Sequence, residues 1–395
     1  MRGYFGLSTE KDKGYTYVVV ASSALWSGLF FGIQIVQHIL TREWKTSLGL
    51  PFMTAPTHQI VGGMVRYLVT TIASAYVHRI NTRILSAISC SSLIMAYVTV
   101  YLWHLFHFPV DYFIIAQIIF GFFNGISSGV GYATVNIVTQ QWLDKKRAKL
   151  NPYIMAGSPI FALLGTVLFS YLCDVYTWSG AVLIQIGILL HSIIIIILYA
   201  EHPDYRPPKE AKIQLSRLSN APILKQKLFK LVLTFNLVRS AFIIIPFFTQ
   251  TINIATEYGL TSNEIDLMLI IGTICDIISR PLFSALTKKL KVTQIAIIWT
   301  FIHLIQNVVG FMARDAMGFY LLEIMLGIGL GASGLKMVVI TDCLGVDNLG
   351  QYLVFEQMIS LPLSIVIPFG LGYLATLFSN PSLIYLVCIF GSVVK

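Results

Sequence analysis

The stretch IIGTICDIISRP, residues 270–281, lies inside an apolar run from Ile265 to Thr287 and contains two charged residues, Asp276 and Arg280. The run is long enough to cross the roughly 30 Å hydrocarbon core of a bilayer as one α-helix. An ionised side chain at the bilayer centre costs about 2.5–3.5 kcal/mol, so an unpaired one is not expected there without a function. The i, i+4 spacing places both charges on one helical face, where they can neutralise each other or face a water-filled cavity together.

The composition of the whole chain is that of a membrane protein. Hydrophobic residues make up 56% of its 395 residues and charged residues 11%, with a mean hydropathy of +0.76, whereas a soluble domain has about a quarter charged residues. The formal net charge of +9 is therefore interpreted as basic loops at an anionic leaflet. The lipid bilayer is the expected partner of this surface, and nucleic acid is not.

Apolar runs of spanning length divide the chain into two halves. The first six lie at residues 16–40, 52–77, 84–105, 112–140, 153–173 and 178–200, and the last six at residues 229–253, 265–287, 292–312, 317–341, 351–377 and 382–394. A polar segment at 201–228 separates them. We predict an all-α membrane protein with twelve transmembrane helices, an N-terminal half at 1–200, a cytoplasmic linker at 201–228 and a C-terminal half at 229–395. This is the pattern of the major-facilitator fold, in which substrate binds near the midplane. The last run is short for a span, which suggests a truncated twelfth helix.

The distribution of basic residues predicts the orientation. Most of the 27 lysines and arginines lie at the N-terminus, in the polar segment and in alternate connections, whereas the opposite connections hold Arg42, Lys45 and Arg314. Both termini and the linker are therefore expected on the cytoplasmic side, in the plasma membrane. Thr261 and Glu264 predict a capping box at the external start of the eighth helix.

Several further charges lie within apolar runs. Arg66, Arg239 and Lys336 have no acidic neighbour at helical spacing, so each either reaches an interface or a carbonyl, or binds substrate. Glu356 and Glu323 are the remaining embedded carboxylates. Because Glu323 is close to an external helix end, we expect it to be solvated.

Other motifs carry less information about function. Glycines are concentrated in the fourth and tenth runs, where they permit either close helix packing or sliding of the halves. His104 and His107 have a spacing that fits a metal ligand pair, but their position beside Trp103 at a helix end favours an aromatic belt. The sequence contains no nucleophile elbow, phosphate loop or HExxH motif. Neither an enzyme nor a cofactor or metal is predicted.

Three stretches together resemble the monocarboxylate-transporter family of the major facilitator superfamily. The first is DKGYTY at 12–17, which departs from the family pattern at Lys13, Thr16 and Tyr17. The second is WLDKKR at 142–147, continuing through Asn151 to MAGSP at 155–159, with Pro152 in place of a usual glycine. The third joins DIISRP at 276–281 to TDCLGVDNL at 341–349. The likeness extends over nearly the whole chain.

The resemblance implies roles for individual residues. It assigns Arg280 to binding of a substrate carboxylate and Asp276 to proton coupling, and it points to Tyr67 and Asn151 as lining the substrate cavity. Arg66, Arg239 and Lys336 complete the candidate substrate-binding set on the ground of their position alone. The resemblance also implies a single-span accessory glycoprotein as a candidate partner.

One departure bears on proton coupling. Proton-coupled members of the family have a lysine late in the first helix, at a position that falls on Ile35, with the titratable His38 nearby. Members without that lysine carry cargo such as aromatic amino acids, iodothyronines, creatine or carnitine. The sequence predicts a secondary transporter or facilitator of a small, monocarboxylate-like organic anion, working by alternating access with or without protons. The alternatives are a facilitator of aromatic amino acid-like or other amphiphilic cargo, and a non-transporting membrane sensor or partner-binding subunit.

Overall fold

The computed structural model describes residues 7–50, 57–77, 79–204, 226–239, 251–252, 254–377 and 382–393. They form α-helices joined by short connections, as predicted, and each predicted apolar run overlaps a helix. A π-helical turn at Gly28–Gly32 joins the first two helices. The helices are α1 (Tyr15–Ser27), α2 (Ile33–Leu48), α3 (Thr57–Tyr76), α4 (Thr82–Leu105), α5 (Phe113–Trp142), α6 (Arg147–Leu190), α7 (Ile193–Leu198), α8 (Lys227–Arg239), α9 (Ser262–Leu286), α10 (Val292–Met312), α11 (Ala316–Ser333), α12 (Lys336–Leu344), α13 (Leu349–Leu377) and α14 (Leu383–Val393).

Several helices are longer than the apolar runs that predicted them. Helix α6 begins at Arg147, although its apolar run begins at residue 153, because the polar first turns of a helix can continue into the interfacial region of a membrane. Thr177, with φ 63° and ψ 170°, interrupts α6 between the predicted fifth and sixth runs. Within the described residues, eight helical segments are long and apolar enough to cross a membrane.

Contacts within the chain divide it into two compact units. The first comprises Met1–Lys146 and Gly157–Leu215, and the second comprises Arg147–Ala156 and Ser216–Lys395. The start of α6 thus belongs by its contacts to the second unit. The predicted linker at 201–228 lies mostly outside the described residues, so its boundaries stay a prediction.

In the first unit, a row of glycines brings α5 close to α3. A Cβ atom on Gly121 would lie 2.5 Å from the His58 carbonyl oxygen, and one on Gly125 would lie 2.6 Å from Val65 Cβ. Gly129 approaches the Arg66 carbonyl oxygen in the same way. These glycines of the fourth run therefore serve close helix packing inside one unit.

The second unit repeats this arrangement between α11 and α9. A Cβ atom on Gly327 would collide with the Gly272 carbonyl oxygen, and one on Gly331 would collide with the Ser279 hydroxyl. Ser279 Oγ donates a hydrogen bond of 3.0 Å to the Gly327 carbonyl oxygen. Close packing thus fixes the height of α9, the helix that contains Asp276, against α11.

Helix α9 begins with the predicted capping box, which the structure confirms. The Glu264 amide donates to Thr261 Oγ1 at 3.4 Å, and the Thr261 amide donates to Glu264 Oε2 at 2.7 Å. Two amides that have no partner inside the helix are satisfied in this way.

Asp12, the acid of the first family-like stretch, clamps the connection between α5 and α6. Its Oδ1 accepts from the Asp144 amide at 3.1 Å and its Oδ2 accepts from the Lys146 amide at 3.2 Å. The Asp12 amide donates to the Trp142 carbonyl oxygen at 3.1 Å, and Asp12 has a left-handed φ of 60°. The first and second family-like stretches are therefore joined by one buried carboxylate.

The glycine packing predicts a difference between two Gly-to-Ala substitutions. Gly125→Ala should lower stability by about 1–3 kcal/mol because its methyl group overpacks the α3–α5 contact. Gly187→Ala places the same methyl group in open space and should leave the melting temperature unchanged or slightly higher. Thermal unfolding of the detergent-purified variants measures both. Equal melting temperatures would contradict the packing role of Gly125.

The clamp predicts that Asp12→Asn destabilises the protein while Asp144→Asn does not. Asparagine keeps the left-handed backbone accessible but replaces one accepting oxygen with a donor that faces an amide. The expected loss is about 1–3 kcal/mol. Asp144 lies in the same turn with an exposed side chain, so its substitution controls for the charge change. The same thermal measurement decides, and a stable Asp12→Asn protein would rule out the clamp.

Candidate functional site

Asp276 and Arg280 form a buried ion pair on α9. Arg280 Nη2 donates to Asp276 Oδ2 at 2.8 Å, and each side chain is 7% exposed. The spacing predicted this neutralisation as one of two arrangements. Asp276 Oδ1 and Arg280 Nε have no hydrogen-bond partner among the described residues. Each partner therefore retains a polar atom that a ligand can engage.

The helix that presents this pair is held on the side of α11 and at the start of α6. A Cβ atom on Gly327 would lie 2.9 Å from the Asp276 amide nitrogen. Towards the end of α9, Ser284 Oγ donates to the Lys149 carbonyl oxygen at 2.9 Å. The backbone beneath the ion pair is thus fixed at two points.

Arg239 lies at the end of α8 and stacks on an aromatic ring. Its guanidinium carbon is 4.3 Å from the ring centroid of Trp299 on α10, and the residue is buried. The Trp299 ring also contacts His303, whose Nδ1 is 2.6 Å from Gln306 Oε1. Arg239 is therefore positioned by cation–π stacking beside a polar row on α10.

Lys336 is paired with Glu356 across two helices. Lys336 Nζ, at the start of α12, donates to Glu356 Oε1 on α13 at 2.5 Å. The side chain of Glu356 is 2% exposed, and its Oε2 has no hydrogen-bond partner in the described part of the chain. The search for acids at helical spacing missed this pair because its members are brought together only by folding.

The beginning of α6 joins the second and third family-like stretches within the second unit. Arg147 Nη1 lies 3.7 Å from Asp342 Oδ1. Asn151 Nδ2 donates to the Gly334 carbonyl oxygen at 2.6 Å, and Asn151 is buried. The Asn151 amide therefore satisfies a carbonyl between α11 and α12, and its assignment to a substrate cavity remains a prediction.

Arg66 and Tyr67 belong to the first unit. They are neighbours on α3, and the Arg66 guanidinium carbon lies 4.9 Å from the Tyr67 ring centroid. Both are partly buried. Among the predicted site residues, the structure thus brings together Asp276 with Arg280, and Arg66 with Tyr67, whereas Arg239, Lys336 and Asn151 engage Trp299, Glu356 and Gly334. The side chains of Ile35 and His38 lie outside the described residues.

Glu323 corrects an expectation from the sequence. It was expected to be solvated, but the residue is 2% exposed. Glu323 lies seven residues after the start of α11 and faces Gly272 of α9, where an added Cβ atom would collide with Glu323 Oε2. The expectation was wrong because distance to a helix end along the sequence does not reveal which face of the helix a residue occupies.

The HxxH pair lies in an aromatic environment. The rings of His104 and His107 are 6.3 Å apart, and the His104 ring is 5.0 Å from that of Trp178. In the residues that the structure describes, no group of three or more His, Cys, Asp or Glu side chains is arranged to hold a metal ion.

Comparison with known proteins identifies the family. A family model described as Major Facilitator Superfamily matches residues 105–353, which is more than half of the chain. The chain belongs to the major facilitator superfamily. It is therefore a multi-pass membrane protein with the fold of a transporter.

One curated relative connects this major-facilitator protein to the resemblance noted in its sequence. Human monocarboxylate transporter 14 is 26% identical over 190 residues, an alignment that covers 46% of this chain and 34% of the human protein. The match therefore spans about a third of that relative. Together with the family match, it confirms a major-facilitator protein that resembles a monocarboxylate transporter.

Solved structures with the same fold have different printed cargoes. A bacterial homologue of the iron transporter ferroportin, crystallised in an outward-facing state with soaked iron, matches with a TM-score of 0.71 and 14% identity over 96% of both chains. The transporter FucP in its outward conformation matches with a TM-score of 0.69 and 12% identity, again over 96% of both chains. At these identities the likeness shows the fold, and the fold does not select a cargo.

The Lys336–Glu356 pair predicts a non-additive response to mutation. Lys336→Met alone, or Glu356→Leu alone, should cost about 3–5 kcal/mol because each leaves a buried charge uncompensated. The double variant should recover most of that loss, since neither charge then remains. Thermal unfolding of all four proteins in detergent measures the coupling. Additive losses would show that the pair does not act as a unit.

Proposed function

We propose that this major-facilitator protein is a secondary transporter that moves a small, monocarboxylate-like organic anion by alternating access. The observation that carries the proposal is the buried Asp276–Arg280 pair, in which each residue has an unpartnered polar atom among the described residues. The resemblance to a monocarboxylate transporter supports the cargo class.

The chemistry of the pair suits carboxylate binding. A guanidinium binds a carboxylate through two parallel hydrogen bonds, and Arg280 presents an unpartnered Nε beside the Nη2 that holds Asp276. An incoming carboxylate competes with Asp276 for this guanidinium. Once displaced in a low-dielectric interior, Asp276 favours its protonated form. Binding of the anion and uptake of a proton are thereby coupled in this proposal.

Arg239 is the second candidate for contact with cargo. Its guanidinium is buried and held face-on by Trp299 at 4.3 Å, an arrangement that leaves a planar donor beside an aromatic surface. Arg66, Tyr67, Lys336 and Asn151 remain proposed substrate contacts. For Lys336, engagement of cargo requires loosening of its hydrogen bond to Glu356.

A second candidate function is facilitated movement of aromatic amino acid-like or other amphiphilic cargo without protons. Two observations favour it: the isoleucine at position 35, and the aromatic ring of Trp299 at the Arg239 guanidinium. A non-transporting sensor or partner-binding subunit is the third candidate, favoured by departures in the first family-like stretch. An accessory single-span glycoprotein, plasma-membrane location and cytoplasmic termini accompany the transporter proposal.

Arg280→Ala tests the site in oocytes that express measured amounts of protein at the surface. Uptake of labelled L-lactate, pyruvate, phenylalanine and tryptophan identifies a transported probe from the wild type. For that probe, affinity should fall about 10- to 100-fold, as expected for loss of a charge-assisted contact. Arg280→Lys should restore charge but not bidentate geometry, and should recover only part of the affinity.

Matched controls separate binding from folding. Lys289→Ala removes an exposed cation just beyond the same helix and should leave uptake unchanged. Arg280→Gln combined with Asp276→Asn removes both charges, so a buried carboxylate is not left unpaired. Equal uptake by Arg280→Ala and wild type for every transported probe would show that the site assignment is wrong. If no labelled solute enters despite surface expression, the sensor candidate is favoured instead.

A further inference from the structure

Glu323 is a buried acid without a counter-charge. It lies on α11, the residue is 2% exposed, and its Oε1 has no hydrogen-bond partner among the described residues. No ion pair in the described part of the chain includes it. In this it differs from Asp276, which receives a hydrogen bond from Arg280 at 2.8 Å, and from Glu356, which receives one from Lys336.

The position of Glu323 follows from the glycine packing of α11. Residues 323, 327 and 331 are spaced by four and lie along one helical face, and Gly327 and Gly331 use that face to contact α9. Glu323 occupies the next place in the row. Its carboxylate fits because the opposing residue on α9 is Gly272, which has no side chain.

The surroundings of Glu323 are apolar. Its neighbours Leu322 and Leu326 on α11 belong to a buried cluster that also contains Met268 of α9 and Tyr385 of α14. A small cation would need several oxygen ligands in such a place. A single proton needs only the carboxylate itself.

The ionisable groups that face this region are neutral in their ordinary forms. Cys275 of α9 and Tyr385 of α14 lie within electrostatic range of Glu323. His303 of α10 packs against α11 further along, at Gly329. None of these described neighbours provides a fixed positive charge, in contrast to the arginine that serves Asp276.

We propose that Glu323 is a proton-binding site of this chain and that it takes up and releases the proton that accompanies the cargo. Uptake converts the carboxylate to a neutral carboxylic acid with a proton from water on one side of the membrane, and release returns the proton to water on the other side. A buried carboxylate without a partner is too costly to remain ionised. Proton binding follows from the geometry of Glu323 alone, whereas its coupling to cargo rests on the proposed function.

Infrared spectroscopy tests proton binding without any cargo. Purified protein is examined in pH-difference spectra, in which the carbonyl stretch of a protonated carboxylic acid is separate from the bands of carboxylates. The wild type should show such a band, and Glu323→Gln should lack it. Asp276→Asn, Glu356→Gln and the exposed-site variant Glu257→Gln should each retain it.

The spectra have clear outcomes. Glutamine has the shape of a protonated glutamate, so Glu323→Gln should fold, and its melting temperature is measured alongside. A protonated-acid band that persists in Glu323→Gln overturns the proposal. Loss of the band in Asp276→Asn, with retention in Glu323→Gln, overturns it as well and assigns the proton to Asp276.

Proteoliposomes test coupling, using the labelled probe that the wild type transports in oocytes. An imposed gradient of one pH unit supports about tenfold accumulation of a cargo that moves with one proton. Wild type and Glu257→Gln should accumulate the probe, whereas Glu323→Gln should only equilibrate it. Equal accumulation by Glu323→Gln and wild type overturns the coupling. If the wild type moves no probe, the proposed function fails while the infrared result on proton binding stands.

Discussion

A charged side chain inside a membrane must be neutralised, and this constraint organises the second unit of the chain. Its buried charges meet it in different ways. Asp276 is paired with Arg280 one helical turn away, and Lys336 is paired with Glu356 across two helices. Arg239 stacks on Trp299. Since removing one member of a buried pair costs more than the pair itself contributes, each arrangement also determines which conformations the helices can adopt.

Close helix packing by glycine is the second requirement of this fold. Gly121, Gly125 and Gly129 bring α5 onto α3, and Gly327 and Gly331 bring α11 onto α9. Without side chains between them, two helices in a bilayer gain van der Waals contact that the apolar lipid tails do not otherwise favour. The same packing fixes the α9 backbone from which Asp276 and Arg280 project. Rigidity at this seam therefore serves the geometry of the ion pair.

The sequence predicted what depends on local pattern. The apolar runs located the helices, the capping box at Thr261 is present, and the i, i+4 spacing anticipated the hydrogen bond between Arg280 and Asp276. It could not predict the partner of Lys336, because Glu356 is 20 residues away and on another helix. It misjudged Glu323 for a related reason. The neighbour that buries Glu323 is a glycine on α9, and a residue without a side chain leaves no sign of itself in the sequence of α11.

The contrast between Asp276 and Glu323 separates two tasks that the resemblance assigned to one residue. Asp276 already has the charge of Arg280 beside it, so it can remain ionised until a competing carboxylate takes the guanidinium away. Glu323 has no such charge among the described residues, so a proton is the simplest means of neutralising it in this packing. The two carboxylates lie on helices joined by the Gly272–Gly327 contact. A change in charge at Glu323 would alter the packing at Gly272, one helical turn from Asp276, and this physical continuity makes communication between the proton site and the anion site possible without a direct bond.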